Sequence, residues 1–327
     1  MKNNISRNTT KTIIICGKSA ETFWRLSNLN FKKLHKASLP QNYYHTIKKK
    51  DAIQIAEALT LPLPLFVASP YKSNNFSGKN LICNTRSRTY PDGSYFTFRF
   101  SNYEIFIDSP ELLFLEKSNS LQFIDYLKFG YEICGNYFID KSNTLATHDP
   151  ITSKNKIQDF LNATSKIPGR RKALKASQYI FDDSRSPRET GIAILLSSPI
   201  NYGGFGMSGF SLNINFFLNE ISTKILGKPV LMVDIGWKDE KIAIEYNSNL
   251  YHSSAEDLTR DAKRNIALQL SGYKCIQITA GILNNFNSFD VIMQSLRSEL
   301  GLKDLKSEFD KNYEKRKALY ESVVWGK

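Results

Sequence analysis

Two acidic residues and an asparagine lie in a short stretch whose pattern predicts a β-hairpin. Residues 233–247 form two apolar, β-branched segments on either side of a charged turn at residues 239–240. A turn centred there places Asp234 directly opposite Glu245, and opposite residues of an antiparallel pair have their side chains on the same face. Asn247 follows Glu245 by two residues and therefore shares that face.

The pairing of Asp234 with Glu245 needs a compensating charge, because like charges directly opposite each other destabilise a hairpin. One or two carboxylates, completed by water and phosphate oxygens, are the ligands that Mg²⁺ prefers. Such a site can activate water for phosphodiester hydrolysis. The hairpin therefore predicts a site for Mg²⁺ or Mn²⁺, and the alternative from the residues alone is a solvated edge with unrelated acids.

The residues after the hairpin extend the same hypothesis. His252 follows Glu245 by seven residues, at the mouth of the expected site, where it could act as a general base or orient water. A helix is predicted over residues 254–271, and it carries Lys263 and Arg264. The apolar residues of this helix recur every four positions and predict its buried stripe: Leu258, Ala262, Ile266 and Leu270.

This region resembles the very-short-patch-repair-like endonucleases, a branch of the PD-(D/E)xK, restriction-endonuclease-like superfamily. The likeness covers residues 186–283, roughly 30% of the chain. It rests on residues that match the family pattern in type and order: Asp234, Glu245, Asn247, His252, Asp261, Arg264 and Gly272-Tyr273. The resemblance implies a mixed β-sheet core flanked by helices and a Mg²⁺-dependent endonuclease activity on DNA.

The resemblance also assigns roles to further residues. The superfamily often supplies an acid from the helix before the hairpin, and Glu189 is the matching residue, as a metal ligand or as the group that positions water. Glu189 also stands three residues after Ser186, where a capping box explains it without a metal. With Asp234, Glu245, Asn247 and His252, it completes the expected catalytic set.

Asn247 is the one position at which the chain departs from the superfamily in a way that matters. The superfamily has a lysine there, and asparagine can neither act as a base nor carry a positive charge. The family branch commonly has Asp or Asn at this place, and His252, Lys263 or Arg264 could compensate. The alternative function is a catalytically inactive DNA-binding regulator, or an antitoxin-like protein, on a nuclease fold.

Composition and charge bound the remaining possibilities. The chain has 327 residues, 41% of them hydrophobic, which excludes a mainly disordered protein. No apolar run is long enough for a membrane span, and four separated cysteines without a CxxC pair argue against a disulfide framework. We therefore expect a cytoplasmic protein without a membrane partner.

The net charge of +13 is concentrated in two segments. Residues 1–50 hold eleven Lys and Arg against Glu21 alone, and residues 154–188 hold nine against three Asp. A basic balance is compatible with a nucleic-acid partner, and we expect DNA, with RNA left open. The candidate phosphate contacts are Arg170, Arg171, Lys172, Lys263 and Arg264.

The expected fold class is α/β, with an α+β N-terminal domain and a restriction-endonuclease-like mixed sheet in the C-terminal half. The expected divisions are an N-terminal domain that binds DNA or a protein partner (1–140), a basic helical linker (141–185), the nuclease domain (186–300) and a C-terminal helix (301–327). The N-terminal region loosely resembles antitoxin-like regions through Ser109–Glu116 and Ile124–Gly135, which implies a bacterial defence or mobile-element context. A homodimer stays open.

A glycine-rich stretch, Gly204-Phe205-Gly206-Met207-Ser208-Gly209, matches the GxGxxG pattern of dinucleotide-binding proteins. That pattern binds pyrophosphate when it follows a strand and opens a helix. Here the predicted order is the reverse, helix first and strand-like segment second. The stretch therefore favours a flexible loop near a site over a dinucleotide cradle.

Overall fold

The architecture is taken from a computed structural model, which describes residues 11–26, 34–39, 47–74, 76–139, 144–247 and 255–325. The chain is of mixed α/β class, as the sequence predicts. Among the described helices, none combines the length and the apolar character that crossing a membrane requires.

The strands and helices of the described residues are numbered separately in chain order. The strands are β1 (Lys11–Ile15), β2 (His35–Ala37), β3 (Leu65–Ser69), β4 (Phe76–Ser77), β5 (Leu81–Thr85), β6 (Tyr95–Phe100), β7 (Tyr103–Asp108), β8 (Tyr137–Ile139), β9 (Leu145–Thr147), β10 (Ser211–Phe217), β11 (Val230–Trp237), β12 (Ile242–Asn247) and β13 (Lys274–Thr279). The helices are α1 (Gly17–Arg25), α2 (Lys49–Ala58), α3 (Pro110–Lys117), α4 (Phe123–Cys134), α5 (Lys154–Ala163), α6 (Arg170–Ser177), α7 (Pro187–Ser197), α8 (Glu220–Leu226), α9 (Ala255–Leu270), α10 (Ala280–Leu283), α11 (Phe286–Glu299), α12 (Lys306–Lys311) and α13 (Tyr313–Val324).

The chain folds into two compact units, and neither is continuous in sequence. Unit 1 consists of residues 1–122 and 151–175, and unit 2 of residues 123–150 and 176–327. This division differs from the expected boundaries. Helix α4 and the β8–β9 hairpin belong to unit 2, where the Tyr137 hydroxyl donates a hydrogen bond to Thr190 of α7. Helix α5, expected in a linker, packs on α3 within unit 1.

Unit 1 is built on one seven-stranded mixed sheet with the strand order β2-β6-β7-β1-β3-β5-β4. The β-branched strand β1 lies at its centre, and its residues from Ile13 to Ile15 are fully buried. Strand β1 runs parallel to β7 and antiparallel to β3, so the unit is the mixed domain that the sequence predicts. The short strand β4 forms one edge of this sheet.

Unit 2 contains a four-stranded sheet with the order β10-β11-β12-β13. The first three strands are antiparallel, whereas β12 and β13 are parallel and are joined through α9. A cluster of buried side chains forms the core on the α9 side of the sheet: Phe216, Leu231, Val233, Ala243 and Leu268. Burying each of the large aliphatic side chains contributes about 1.5–3 kcal/mol.

The C-terminal helices are an integral part of unit 2. The buried Arg316 of α13 forms an ion pair with Asp290 of α11, with its Nε 2.5 Å from the carboxylate. The same guanidinium donates a hydrogen bond to the Phe309 carbonyl oxygen. Removing one partner of a buried pair costs about 3–5 kcal/mol, so this contact fixes α13 against α11.

The prediction for the buried face of α9 was wrong. Leu258, Ala262, Ile266 and Leu270 are exposed, and the buried residues are Ala267 and Leu268. The inner face instead carries Asp261 and Arg264, which bond to residues of β12. Apolar residues four positions apart lie on one face of a helix, but this spacing does not determine whether that face packs against the core.

The strand-like segment that follows the glycine-rich stretch is β10, and the helix α8 follows it. Its signals are present in the sequence: Asn219 caps it by accepting a hydrogen bond from the Ser222 backbone, and Gly227 ends it with φ of 71°. Asn at the N-cap and Gly just past the last turn are common helix boundaries.

The GxGxxG stretch is a tightly packed loop. Phe205 and Met207 are buried, and the Arg297 guanidinium donates to the carbonyl oxygen of Phe205 at 2.5 Å. Gly204 lies against Ser198, so that a β-carbon at this position would overlap the Ser198 carbonyl oxygen. Gly204 therefore serves close packing against the end of α7, which differs from the phosphate cradle that the motif forms elsewhere.

Gly204→Ala is expected to lower the free energy of unfolding by about 2 kcal/mol or more, because overpacking against backbone typically costs about 1–3 kcal/mol. Gly301→Ala is the matched control: its φ of +65° strains an alanine, but no atom lies within 4 Å of the added methyl group, so a loss of about 1 kcal/mol is expected. Urea denaturation followed by circular dichroism measures both. Equal losses in the two variants would contradict the packing role.

Candidate active site

The predicted register of the hairpin is confirmed where β11 and β12 pair. Ile235 pairs with Ile244, and Trp237 pairs with Ile242, as a turn centred on residues 239–240 requires. The backbone ladder ends before Asp234. There the Tyr246 backbone N–H donates to Asp234 Oδ2 at 2.7 Å, so the side chain takes the place of a backbone acceptor.

Glu245 faces α9, which supplies the positive charge that compensates it. Arg264 Nη2 donates to Glu245 Oε1 at 2.5 Å and to the Met232 carbonyl oxygen at 3.1 Å. The guanidinium thereby connects α9 to both β11 and β12. Asn247 lies on the same side, and its amide donates to Asp261 of α9 at 3.0 Å.

Glu189 enters from the N-terminal turn of α7, and its carboxylate accepts more than a capping box provides. Its Oε1 accepts from the Ser186 hydroxyl at 3.0 Å. Its Oε2 accepts from the Arg185 backbone N–H at 2.9 Å and from the Asn213 amide at 2.8 Å. With three of about four acceptor positions engaged, Glu189 is held in one orientation and retains one free position, on Oε1.

Asn213 of β10 connects this carboxylate to the sheet. The register of β10 against β11 pairs Leu212 with Ile235 and Ile214 with Val233, so Asn213 stands beside Asp234. Asn213 adopts a positive φ of 46°, and its amide also donates to the Asp183 carbonyl oxygen at 2.8 Å. Asn213 was not among the residues predicted for the site. An asparagine in a strand is uncommon, and that is the signal that could have identified it.

The shifted pKa values show that Asp234 lies within electrostatic range of both Glu189 and Glu245. Burial raises the pKa of Glu245 to about 7, with Asp234 and Asp261 adding to the rise and Arg264 opposing it. Burial also raises the pKa of Asp234, against the Tyr246 N–H and the guanidinium groups of Arg264 and Arg185.

The pKa of Glu189 is raised by burial first and also by the charge of Asp234, against three hydrogen bonds. The centre therefore gathers the carboxylates of Glu189, Asp234, Glu245 and Asp261 against the guanidinium groups of Arg185 and Arg264. This negative excess favours a cation.

Asp234 and Glu245 fit a hard divalent cation in donor type and number. Each carboxylate has one oxygen, Asp234 Oδ1 and Glu245 Oε2, that receives no hydrogen bond from the described residues. Mg²⁺ is usually held by one or two carboxylates with water and phosphate oxygens completing the shell. Among the described residues, no group of three or more His, Cys, Asp or Glu side chains is arranged to hold a metal.

Three other residues predicted for the site are His252, Lys263 and Arg264. His252 is outside the described residues. Lys263 is exposed on α9 beside a groove between α8 and α9. Arg264 is engaged with Glu245, so its predicted contact with phosphate competes with this ion pair.

The basic run of α6 belongs largely to unit 1, and two of its three side chains have backbone partners. Arg170 Nε donates to the Leu161 carbonyl oxygen at 2.7 Å, which ties α6 to α5. Lys172 donates to the Leu121 carbonyl oxygen at 2.7 Å. Arg171 is exposed, and it stays a predicted phosphate contact.

Arg185 is a further residue of the site that was not predicted from the sequence. Its backbone N–H binds Glu189, and its guanidinium is exposed and lies close enough to lower the pKa of Asp234. Within the described part of the chain, this guanidinium makes no hydrogen bond or ion pair. No spacing pattern distinguishes such an arginine, because its position follows from the turn that precedes α7.

Comparisons with protein-family models, with curated proteins and with solved structures find no match for this chain. The resemblance to the very-short-patch-repair-like endonucleases therefore stays a prediction, and the site is interpreted from its own geometry.

Glu245→Gln is expected to flatten the dependence of stability on pH between about 4.5 and 7. The pKa of Glu245 is raised from 4.5 to about 7, so the folded chain binds this proton more tightly than the unfolded chain. The stability that this group contributes is complete below pH 4.5 and is lost as the pH rises through about 7. Urea denaturation at a series of pH values, with a chelator present, measures it.

Glu240→Gln, which neutralises an exposed acid of the hairpin turn, is the matched control and should leave the pH profile unchanged. A Glu245→Gln profile that runs parallel to that of the wild type would show that Glu245 titrates alike in the folded and unfolded chains.

Proposed function

We propose that this protein is a metal-dependent DNA endonuclease, with Asp234 and Glu245 as the ligands of Mg²⁺ or Mn²⁺. The observation that supports the proposal is the convergence of the acids from α7, β11 and β12, whose pKa values are raised by burial, with the charge of Asp234 adding to the rise at Glu189 and Glu245. Perturbed carboxylates gathered in one place are typical of functional sites. The proposal includes action in the cytoplasm, in a bacterial defence or mobile-element context.

When bound, the cation would lower the pKa of the attacking water and neutralise charge on the scissile phosphate. Asp234 is fixed for its role by the Tyr246 backbone, which leaves Oδ1 free. Glu245 is held by Arg264, which also limits repulsion between the two acids before DNA arrives. Buried acids with raised pKa values lose their protons more readily beside a cation, so cation binding should release protons.

The remaining residues position the phosphate and the water. Glu189 holds the backbone of Arg185, so that its guanidinium stands at the edge of the site, where it can bind the scissile phosphate through two parallel hydrogen bonds. Arg185 would thereby supply the positive charge that Asn247 lacks. Asn247 is oriented by Asp261, and the proposed role of His252 is to orient the water.

The specific observation that favours a binding-only protein is the compensation of the acids within the chain itself. Arg264 neutralises Glu245, and Asn247 bonds to Asp261. A site balanced in this way would be stable without a metal. The alternative function is therefore a DNA-binding regulator or antitoxin-like protein on an inactive nuclease fold, and plasmid cleavage separates the two.

The full-length protein is expected to nick supercoiled plasmid in Mg²⁺ or Mn²⁺, and Asp234→Ala and Glu245→Ala should each lower the rate by at least about 100-fold. Losing an outer-shell partner of a metal already costs about 10- to 100-fold, and these two residues are proposed as direct ligands. Asp239→Ala, which removes an exposed acid of the same hairpin, should retain the wild-type rate. Gel electrophoresis of the plasmid forms measures the outcome.

Two results would contradict the proposal in different ways. Activity retained in either ligand variant would place the site elsewhere. Wild-type protein that binds DNA with a steep salt dependence but leaves both single-stranded and duplex substrates intact would establish the binding-only alternative.

Arg185→Ala is expected to lower kcat by about 10-fold or more, because it removes a donor aimed at the reacting phosphate. Arg185→Lys should recover part of the rate, since lysine restores the charge but lacks the forked pair of donors. Lys228→Ala, at an exposed turn of the same unit, is the control. An effect confined to KM would place Arg185 on the DNA backbone away from the reacting phosphate.

A further inference from the structure

A second surface, on unit 1, combines exposed lysines with exposed aromatic rings. Phe76 lies on the edge strand β4 and is 41% exposed, and Tyr71, just after β3, is 52% exposed. Lys72 and Lys79 lie within the same ten residues, and both are exposed. The surface defined by Lys48, Lys49, Lys72, Lys79, Tyr71 and Phe76 is here named the basic edge.

The contact between α2 and β4 brings these residues together. The Lys49 ammonium lies over the Phe76 ring, 5.4 Å from its centroid. Lys48 precedes Lys49 at the start of α2. The β4–β5 turn carries Lys79 at its tip and is closed by a hydrogen bond from the Gly78 N–H to the Leu81 carbonyl oxygen. The Lys49 ammonium therefore lies over an aromatic side chain at the open edge of the sheet, and Lys72 and Lys79 lie within four residues of Phe76 along the chain.

The basic edge has little acidic compensation. Residues 70–85 contain no Asp or Glu, and α2 contains only Asp51 and Glu57. Asp51 is buried, and its carboxylate accepts a hydrogen bond from the Lys48 backbone N–H, so its charge is turned inward. Glu57 lies more than two helical turns beyond Lys49. A polyanion would thus meet uncompensated positive charge here.

The exposed aromatic rings of Phe76 and Tyr71 indicate which class of polyanion fits this surface best. Lysines alone bind the phosphates of any nucleic acid, whereas exposed aromatic side chains bind unpaired bases by stacking, in a sequence-tolerant way. The base faces of a duplex are already stacked on one another and are not available to Phe76 or Tyr71. We propose that the basic edge binds single-stranded DNA, where the choice of DNA over RNA rests on the proposed function, with Phe76 and Tyr71 stacking on bases and the lysines contacting phosphates.

The test is a fluorescence-anisotropy titration of the full-length protein with a labelled oligothymidylate of about 15 nucleotides. A chelator is present throughout, so that the outcome does not depend on the proposed nuclease activity. Lys72→Ala and Lys79→Ala should each weaken binding and reduce the slope of log K against log salt by about 0.7. Lys156→Ala, an exposed lysine of α5 outside the basic edge, should change neither.

Substitutions of Phe76 test stacking separately from charge. Phe76→Leu keeps apolar bulk and should weaken binding about 5-fold or more with the salt slope unchanged, whereas Phe76→Trp should retain wild-type affinity. Urea denaturation shows whether each variant is folded.

The proposal is overturned by any of three results. One is affinity that is indifferent to the Lys72, Lys79 and Phe76 substitutions. The others are a duplex of equal length, or an oligouridylate, that binds as tightly as or more tightly than the single-stranded DNA. Binding is measured in chelator and cleavage in Mg²⁺, so failure of the nuclease proposal and failure of this one are separable.

Discussion

The burial of like charges at the end of one hairpin is the constraint on which the rest of unit 2 depends. Asp234 and Glu245 are brought side by side by the register of β11 and β12. An uncompensated carboxylate in such a place costs several kcal/mol. Arg264 offsets this cost, and it can do so only because α9 crosses the sheet between the parallel strands β12 and β13. The crossover and the charge pair therefore support each other.

The hairpin could be predicted because two rules of strand geometry suffice for it. Alternation with a period of two and a charged turn determine which residues lie opposite each other, and the observed pairs of Ile235 with Ile244 and of Trp237 with Ile242 follow that register. The approach of Glu189 was expected only through resemblance. Its capping box predicts a helix start, and the contact with Asn213 depends on where β10 lies in the sheet.

The features that were missed depend on tertiary packing. The stripe of Leu258, Ile266 and Leu270 has the period of a buried helix face, yet Arg264 and Asp261 occupy the inner face because β12 offers them polar partners. The GxGxxG stretch likewise matches a ligand-binding motif by composition, whereas its first glycine, Gly204, fits against Ser198 in the folded chain. A local sequence pattern shows which residues share a chemical type and a spacing. Whether those residues are buried or bind a ligand depends on the elements that pack against them in the folded chain.

The two units are interleaved along the chain, since residues 123–150 of unit 2 interrupt unit 1 and residues 151–175 return to it. During synthesis, unit 1 cannot complete its packing until α5 has left the ribosome, by which time α4 and the β8–β9 hairpin are already exposed without their partners. A single cut at any point would remove part of at least one unit. Separating the two units would therefore require a bypass of residues 123–150 to make unit 1 continuous and a bypass of residues 151–175 to make unit 2 continuous.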